Sequence, residues 1–265
     1  MRILSQILFV FIALSILKEA DLREQRVGSI DALSARSSEK YCVFRQSHDQ
    51  ELRAALLQND IQRACDLIKA GANVGLRIQP VYPDLDLMPE EFVQEVRLSK
   101  QPTLLMFAVV QGQRPVVDAL LKRGACVNAR GDYLFADSGG SDARFYTWLR
   151  GGTALHLAAY KGDFAMMDRL LRAKARVDVR DADGRTALSW AVEKSRGSVV
   201  SRLLQAHCNV NCVDNRGRSA LQEAAEAGNP ALYKQLKHAG ATGSYVIRSD
   251  RMNLKVLKNA NQKGR

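Results

Sequence analysis

Few residues in this chain have the types and spacing that catalysis requires. His156 could act as a general base, but no serine or cysteine stands beside it in a recognisable nucleophile motif. We therefore predict a structural hydrogen-bonding role for His156. The chain has no G-x-x-x-x-G-K or G-x-G-x-x-G segment to cradle phosphate groups. The sequence predicts a protein that is not an enzyme and has no small-molecule substrate.

The candidate metal ligands are also incomplete. His207, Cys208 and Cys212 supply suitable donor atoms for zinc, but a fourth ligand and a second C-x-x-C pair are missing. Asp181 and Asp183 resemble part of a calcium loop, yet valine and tryptophan would then occupy the first and last ligand positions. We expect no metal and no cofactor. The five cysteines are odd in number and lack the spacing of a disulfide framework.

Composition and charge describe an ordinary globular chain with a basic end. Lys and Arg number 39 against 28 Asp and Glu, which gives a net charge of +11. Residues 248–265 contain six basic residues and one acid, so much of that excess lies in the tail. The interpretation is a solvated tail, with polyanion binding through it as another possibility. An aromatic content of 6% argues against a nucleic-acid stacking surface, and nucleic acid is not an expected partner.

The first twenty residues predict an export signal. The segment from Ile7 to Leu17 has one polar residue in eleven, which fits a signal-peptide core and is short for a spanning helix. Residues 1–20 are therefore a cleaved signal peptide or, alternatively, an uncleaved signal anchor; a buried helix of the fold is the third reading. Residues 21–48 are rich in charge, Ser and Gln without periodicity, and predict a disordered linker.

A repeat of 33 residues occupies most of the remaining chain. The segments T-A-L-H-L-A-A, T-A-L-S-W-A-V and S-A-L-Q-E-A-A begin at Thr153, Thr186 and Ser219. Leucine-containing pairs follow at a fixed offset, at Leu170, Leu203 and Leu236. Two related units lie upstream, one beginning at Thr103 with T-L-L-M-F-A-V and one containing the segment from Leu52 to Leu56.

This pattern resembles the ankyrin repeat, G-x-T-P-L-H-x-A-A-x-x-G followed by an apolar helix and G-A-D-V-N-A. The resemblance implies an all-α solenoid of about five helix-turn-helix units with β-hairpin fingers. It covers residues 49–244, with units at about 49–75, 101–130, 151–183, 184–216 and 217–244. The first and last units depart from the motif, as terminal caps do.

The residue types of the repeat have physical reasons of their own. Thr can cap the first helix of each unit, and Gly162 permits the left-handed turn that ends one of them. No unit can bury both of its apolar faces alone, so stacking builds a surface rather than a pocket. The position shared by Phe107, Leu157, Trp190 and Glu223 is predicted to lie in the core.

Two insertions, at 76–100 and 131–150, enlarge the predicted fingers. The first contains Met88-Pro89-Glu90, which is typical of a helix start. The second has two aromatic arms around Ser-Gly-Gly-Ser, as in a long hairpin. Its aromatic residues either form a partner-binding edge or pack the finger onto the stack; they are Tyr133, Phe135, Phe145, Tyr146 and Trp148.

The resemblance further implies that partners bind the hairpin fingers and the concave face formed by the first helices. The candidate contacts there are Tyr160, Lys161, Asp183, Arg185, Glu193 and Lys194. The expected function is a protein-protein interaction module that binds one or more proteins.

Location and the chain end complete these expectations. We expect a secreted protein, an effector that acts inside another cell. The alternative is a scaffold anchored in a membrane by its first residues and acting in its own cytosol. Residues 245–265 are predicted to form either the basic tail or a capping helix built on Met252, Leu254, Val256 and Leu257.

Overall fold

The structure is a computed structural model that describes residues 47–78, 90–137, 145–243, 246–249 and 253–256. The predicted signal segment and most of the predicted linker lie outside these ranges. The described helices are α1 (47–57), α2 (Ile61–Ala70), α3 (Glu90–Leu98), α4 (Leu104–Val110), α5 (Arg114–Lys122), α6 (Ala154–Lys161), α7 (Phe164–Arg172), α8 (Ala187–Glu193), α9 (Gly197–Gln205), α10 (Ala220–Glu226) and α11 (Pro230–His238). The strands are β1 (Gly131–Asp137), β2 (Phe145–Gly152), β3 (Val246–Ser249) and β4 (Asn253–Val256). The described residues are therefore mostly helical, as the repeat pattern predicts.

The first helices of the pairs begin at the predicted caps. Thr103 Oγ1 accepts a hydrogen bond from the Met106 N–H at 3.2 Å, and Ser219 caps α10 in the same way. Thr153 begins α6 in a capping box with His156. Gly162 ends α6 with φ +77°, as predicted from the need for a left-handed turn.

The core forms where helices of neighbouring pairs meet. The first helices α4, α6, α8 and α10 pack in sequence, while α7 packs on α9. Equivalent leucines of the second helices are fully buried; they are Leu120, Leu170, Leu203 and Leu236. The predicted stripe is also buried, which confirms that Phe107, Leu157, Trp190 and Glu223 belong to the interior. Stacking therefore buries what no single pair could bury.

A ladder of side-chain hydrogen bonds joins successive turns. Asn128 Oδ1 accepts the Arg176 N–H at 2.8 Å. Asp178 and Asn211 make the equivalent bonds to the next turns, at 2.9 and 2.8 Å. Gly75 holds the matching position in the first pair and has no side chain to do the same.

The two insertions have different structures. The first contains α3, which starts at the predicted glutamate and buries Val93 and Val96. The second forms a long finger in which β1 and β2 pair antiparallel, with Tyr133 opposite Leu149 and Phe135 opposite Thr147. Residues 79–89 and 138–144 lie outside the described ranges.

The capping helix predicted for the chain end is wrong. Residues 246–249 and 253–256 form an antiparallel hairpin instead, with Val246 opposite Val256. Asn253-Leu254-Lys255-Val256 alternates polar and apolar residues, a period that fits a strand better than a helix. Strand β3 lies beside α10, at the end of the stack.

Candidate partner-binding surface

A row of aromatic rings runs from the long finger across two first helices. Tyr133 and Phe135 lie two residues apart on β1 and so share one face of the strand. The ring centroids of Phe135 and Tyr160 are 3.9 Å apart in a stacked pair, and that of Tyr133 is 5.0 Å from that of Phe135. Tyr160 in turn meets Trp190 edge-on at 5.7 Å. This row attaches the finger to α6 and α8.

The burial of the finger residues corrects part of the predicted edge. Tyr133 and Phe135 are only 7% and 6% exposed, so a partner cannot contact them in this conformation. For these two residues the second interpretation holds, because their rings pack the finger onto the stack. Trp148 is half-buried, with the Arg150 guanidinium 5.7 Å from its ring centre. The side chains of Phe145 and Tyr146 lie outside the described part of the chain.

Four predicted contact residues form one surface at the ends of α6 and α8. Tyr160 and Glu193 occupy equivalent positions one repeat apart, as do Lys161 and Lys194. Lys161 and Glu193 are exposed, whereas Tyr160 and Lys194 are half-buried. The Lys194 ammonium lies 4.8 Å from the centre of the Tyr160 ring, in cation–π geometry. We name these four residues the Tyr160 surface.

Arg185, another predicted contact, is buried. Its guanidinium lies 4.1 Å from the Trp190 ring centre and forms ion pairs with Glu193 and, at 3.5 Å, with Glu223. A partner therefore cannot reach it, and it instead positions Glu193 on the Tyr160 surface. Asp183, also a predicted contact, is exposed. Its carboxylate lies 3.9 Å from the Arg150 guanidinium.

Glu223 is the unexpected member of this region. It stands in the otherwise apolar stripe and is 7% exposed. Burial raises its pKa to about 7, although Arg185 and Arg218 act to lower the pKa. Among the described residues, Glu223 Oε2 and Arg185 Nε have no hydrogen-bond partner. The pKa of the buried Glu223 carboxyl, beneath the Tyr160 surface, therefore lies near neutral pH.

Asp181 holds the finger that carries Arg185. One carboxylate oxygen accepts the N–H groups of Asp183 and Arg185 at 3.0 and 2.8 Å. The other accepts the Trp190 indole N–H at 2.8 Å. Burial raises the pKa of Asp181 against the effect of these bonds. The residue is a structural anchor of this finger.

His156 has the structural role that we predicted. The Nδ1 atom accepts the Thr153 N–H at 3.1 Å and lies 2.9 Å from Thr153 Oγ1. The Nε2 atom lies 3.3 Å from the Arg185 carbonyl oxygen. Burial lowers the pKa of His156 to about 4, so the ring is neutral at physiological pH. The imidazole therefore links the start of α6 to the next finger.

The cysteines of the described residues are free. They are Cys65, Cys126, Cys208 and Cys212. Burial raises the pKa of Cys208 to about 12 and also raises that of Cys212, so both remain thiols at neutral pH. Within the described ranges, no cluster of three His, Cys, Asp or Glu residues could hold a metal ion. In the same ranges no helix has the length and apolar character to cross a membrane.

Sequence reasoning missed the polar network under the Tyr160 surface. The only signal was Glu223, a charged residue at a position that is apolar in the three preceding units. No sequence pattern indicated the hydrogen bond from the Trp190 indole to Asp181. The two residues are nine positions apart along a loop and a helix, and this separation does not fix their distance in the fold.

Comparison with protein families gives two matches. Residues 132–214 and 155–247 match the profile described as ankyrin repeats (3 copies), and residues 103–132 match that of a single ankyrin repeat. Together these matches span more than half of the chain. No curated protein matches it.

Proposed function

Because the chain belongs to the ankyrin-repeat family over residues 103–247, and ankyrin repeats are generally protein-protein interaction modules, we propose that it is a non-enzymatic protein that binds another protein through the Tyr160 surface. The first helices form this surface, and the long finger supports it because Phe135 stacks on the Tyr160 ring. We count five units, the first of which, α1 and α2, precedes the family match.

One observation carries this proposal: the Tyr160 ring is held by its neighbours, and the residue is still partly exposed. It stacks on Phe135, meets Trp190 edge-on and has Lys194 over it. A ring held in this way loses little conformational entropy when a partner packs on it. Aromatic side chains of this kind dominate the energy of protein interfaces. The exposed charges of Lys161 and Glu193 beside it would orient the partner.

The test is affinity capture with two pairs of matched variants. Tyr160→Ala removes the central ring, and its control is Phe164→Ala, which removes a 46% exposed ring at the start of the second helix α7. Lys161→Glu reverses an exposed charge, and its control is Lys122→Glu on the second helix α5. Circular dichroism first establishes that each variant is folded. Bound proteins are then quantified by mass spectrometry.

We expect a partner that is lost from Tyr160→Ala and Lys161→Glu and retained by both controls. Retention by all four variants would place the contact elsewhere and overturn the assignment of this surface. Loss from the Phe164→Ala control alone would move the contact to the second helices.

We also propose that the protein is exported, as a secreted effector that acts inside another cell. The apolar run at residues 7–17 supports export, and the unpaired cysteines of the described residues fit a reducing destination. The alternative is a scaffold that keeps residues 1–20 as a membrane anchor. Sequencing the mature N-terminus after cell fractionation separates the two. A shortened chain in the medium supports export, whereas an intact Met1 in the membrane pellet supports the anchor.

A further inference from the structure

The fingers present a row of arginines that form no ion pair with the described acidic residues. We name Arg77, Arg130, Arg180 and Arg216 the finger edge. Among the described residues, none of the four has an acidic group within ion-pair distance. Arg130, Arg180 and Arg216 are exposed, and Arg77 is half-buried.

Three of these arginines bind main-chain carbonyl groups of a finger. Arg77 donates to the Arg130 carbonyl at 3.0 Å, and Arg130 donates to that of Gly151 at 3.2 Å. Arg180 donates to the carbonyls of Gly184 and Val213. A carbonyl fixes the position of a guanidinium but carries no net charge, so the positive charge remains available to a ligand.

Successive fingers form one continuous edge. The Ala182 N–H donates to the Arg150 carbonyl, and the Asn215 N–H donates to the Asp183 carbonyl, both at 2.9 Å. The acids at the base of the fingers accept main-chain N–H groups, and among the described residues none of them forms an ion pair with an arginine of the finger edge. These acids are Asp132, Asp181 and Asp214.

We propose that the finger edge binds an extended acidic segment of a protein, an inference that rests on the proposed function and specifies the chemistry of its partner. Each finger would offer one guanidinium to a carboxylate, and carbonyl groups hold three of the four in place. Exposed acids lie between the arginines: Asp183 is on the edge itself, and Glu95 pairs with Arg150 at 3.3 Å. An acidic peptide can place neutral residues opposite these acids, whereas the uniform charge of a nucleic-acid backbone cannot.

The test uses the full chain and two variants of equal charge. Arg130→Gln, Arg180→Gln and Arg216→Gln together remove three charges from the edge and keep a polar side chain at each position. The control carries Lys122→Gln, Arg123→Gln and Lys234→Gln, which removes three exposed charges on or beside second helices. The probe is a fluorescein-labelled peptide of about twelve residues in which glutamate alternates with serine. Fluorescence anisotropy is measured at several salt concentrations, with a duplex DNA of similar charge as a second probe.

We expect the finger-edge variant to bind the glutamate peptide about tenfold more weakly than the unchanged chain and the control variant to bind as the unchanged chain does. Equal weakening of both variants would overturn the proposal, because it would indicate nonspecific attraction. No weakening would also overturn it and would assign peptide binding to the basic tail, which both variants retain. Tighter binding of the DNA would replace the acidic peptide with a nucleic acid.

The capture experiment distinguishes this proposal from the one on which it rests. A partner that is lost from Tyr160→Ala but retained by the finger-edge variant leaves the proposed function standing and contradicts the acidic segment. Loss from both variants supports both.

Discussion

The long finger and the two short fingers have an aspartate at the same position and use it differently. In the short fingers one carboxylate oxygen accepts the N–H groups of the residues two and four positions later. Asp181 does so in one finger and Asp214 in the next. In the long finger Asp132 accepts the N–H of Gly151 at 2.6 Å and that of Lys100 at 2.7 Å. Each of these fingers is therefore closed by its own aspartate, and the long finger is in addition tied to Lys100, at the end of the preceding insertion.

The hydrogen bond between Asp132 and Gly151 explains how the stack tolerates the insertion at 131–150. The extra residues lie between Asp132 and Gly151, and the carboxylate joins these two ends as it would in a short turn. The return strand then reaches Thr153 with the spacing of the other units. The carboxylate fixes only the two ends of the finger that meet at Asp132 and Gly151. Aromatic packing must therefore hold the arm of the finger, strands β1 and β2, against the stack. The long finger thus depends on side-chain burial, and the short fingers depend on carboxylate hydrogen bonds.

The largest expected effect is on the arm of the long finger. Phe135→Ala removes a buried ring that stacks on Tyr160, and such truncations cost about 3 to 5 kcal/mol. We expect a lower urea midpoint and faster proteolysis between β1 and β2. Phe164→Ala, at an exposed ring, should change stability by less than about 0.5 kcal/mol. A loss below about 1 kcal/mol for Phe135→Ala would mean that packing does not hold the finger.

In a short finger, removal of the aspartate should have the next largest effect. Asp181→Ala leaves two main-chain donors and the Trp190 indole N–H without an acceptor, at a cost of about 2 to 3 kcal/mol. Asp214→Ala also frees two main-chain donors and removes the ion pair with the partly exposed Arg218, so it should cost about 1 to 2 kcal/mol. Thermal unfolding measures both changes. A larger loss for Asp214→Ala than for Asp181→Ala would show that the Arg218 ion pair outweighs the indole bond.

Most of the fold could be predicted because single residues at fixed spacing define each repeat unit. The Thr and Ser caps, Gly162 and the spaced leucines act locally or once per unit, so their type and position identify the helix pairs. The chain end was ambiguous because Leu254 and Val256 fit both a strand and a helix over so short a segment.

The site was less predictable, since burial across fingers depends on long-range register. Tyr133 and Phe135 have the composition of a binding edge, and only the packing of β1 on α6 buries them. From the sequence alone Arg185 likewise resembles a surface charge, but in the fold Glu223 and Trp190 enclose it. Tyr160 was found because the repeat places it at the end of a first helix.

The short fingers should also differ from the long finger in their response to pH. Arg185 and Arg218 approach Glu223, at 3.5 and 3.8 Å, whereas the long finger has Gly152 at the equivalent position. The pKa of Glu223, about 7, lies above its ordinary value, so the folded state binds the extra proton and loses stability as pH rises toward 7. The pKa of His156, about 4, lies below its ordinary value, so His156 loses stability as pH falls.

Glu223→Gln removes one of these two opposing effects. Relative to the unchanged chain, the variant should become less stable by about 1 to 2 kcal/mol when the pH falls from about 7 to about 5. Urea unfolding at both pH values measures the change. Other groups that face Glu223, namely Arg185, Arg218, Glu193 and Asp214, are present in both proteins and so largely cancel from the difference. Parallel pH profiles for the two proteins would show that Glu223 does not titrate in this range.

The smallest effect is expected at the base of the long finger. Asp132→Ala frees the N–H groups of Gly151 and Lys100, but solvent can reach this site, so the cost should be about 1 kcal/mol. The control is Asp183→Ala, which removes an exposed carboxylate that accepts no main-chain N–H in the described structure. Hydrogen exchange should accelerate at Gly151 and Lys100 in the first variant and remain unchanged in the second. Faster exchange throughout α6 would instead mean that the aspartate stabilises the whole stack, because opening would then extend beyond the finger.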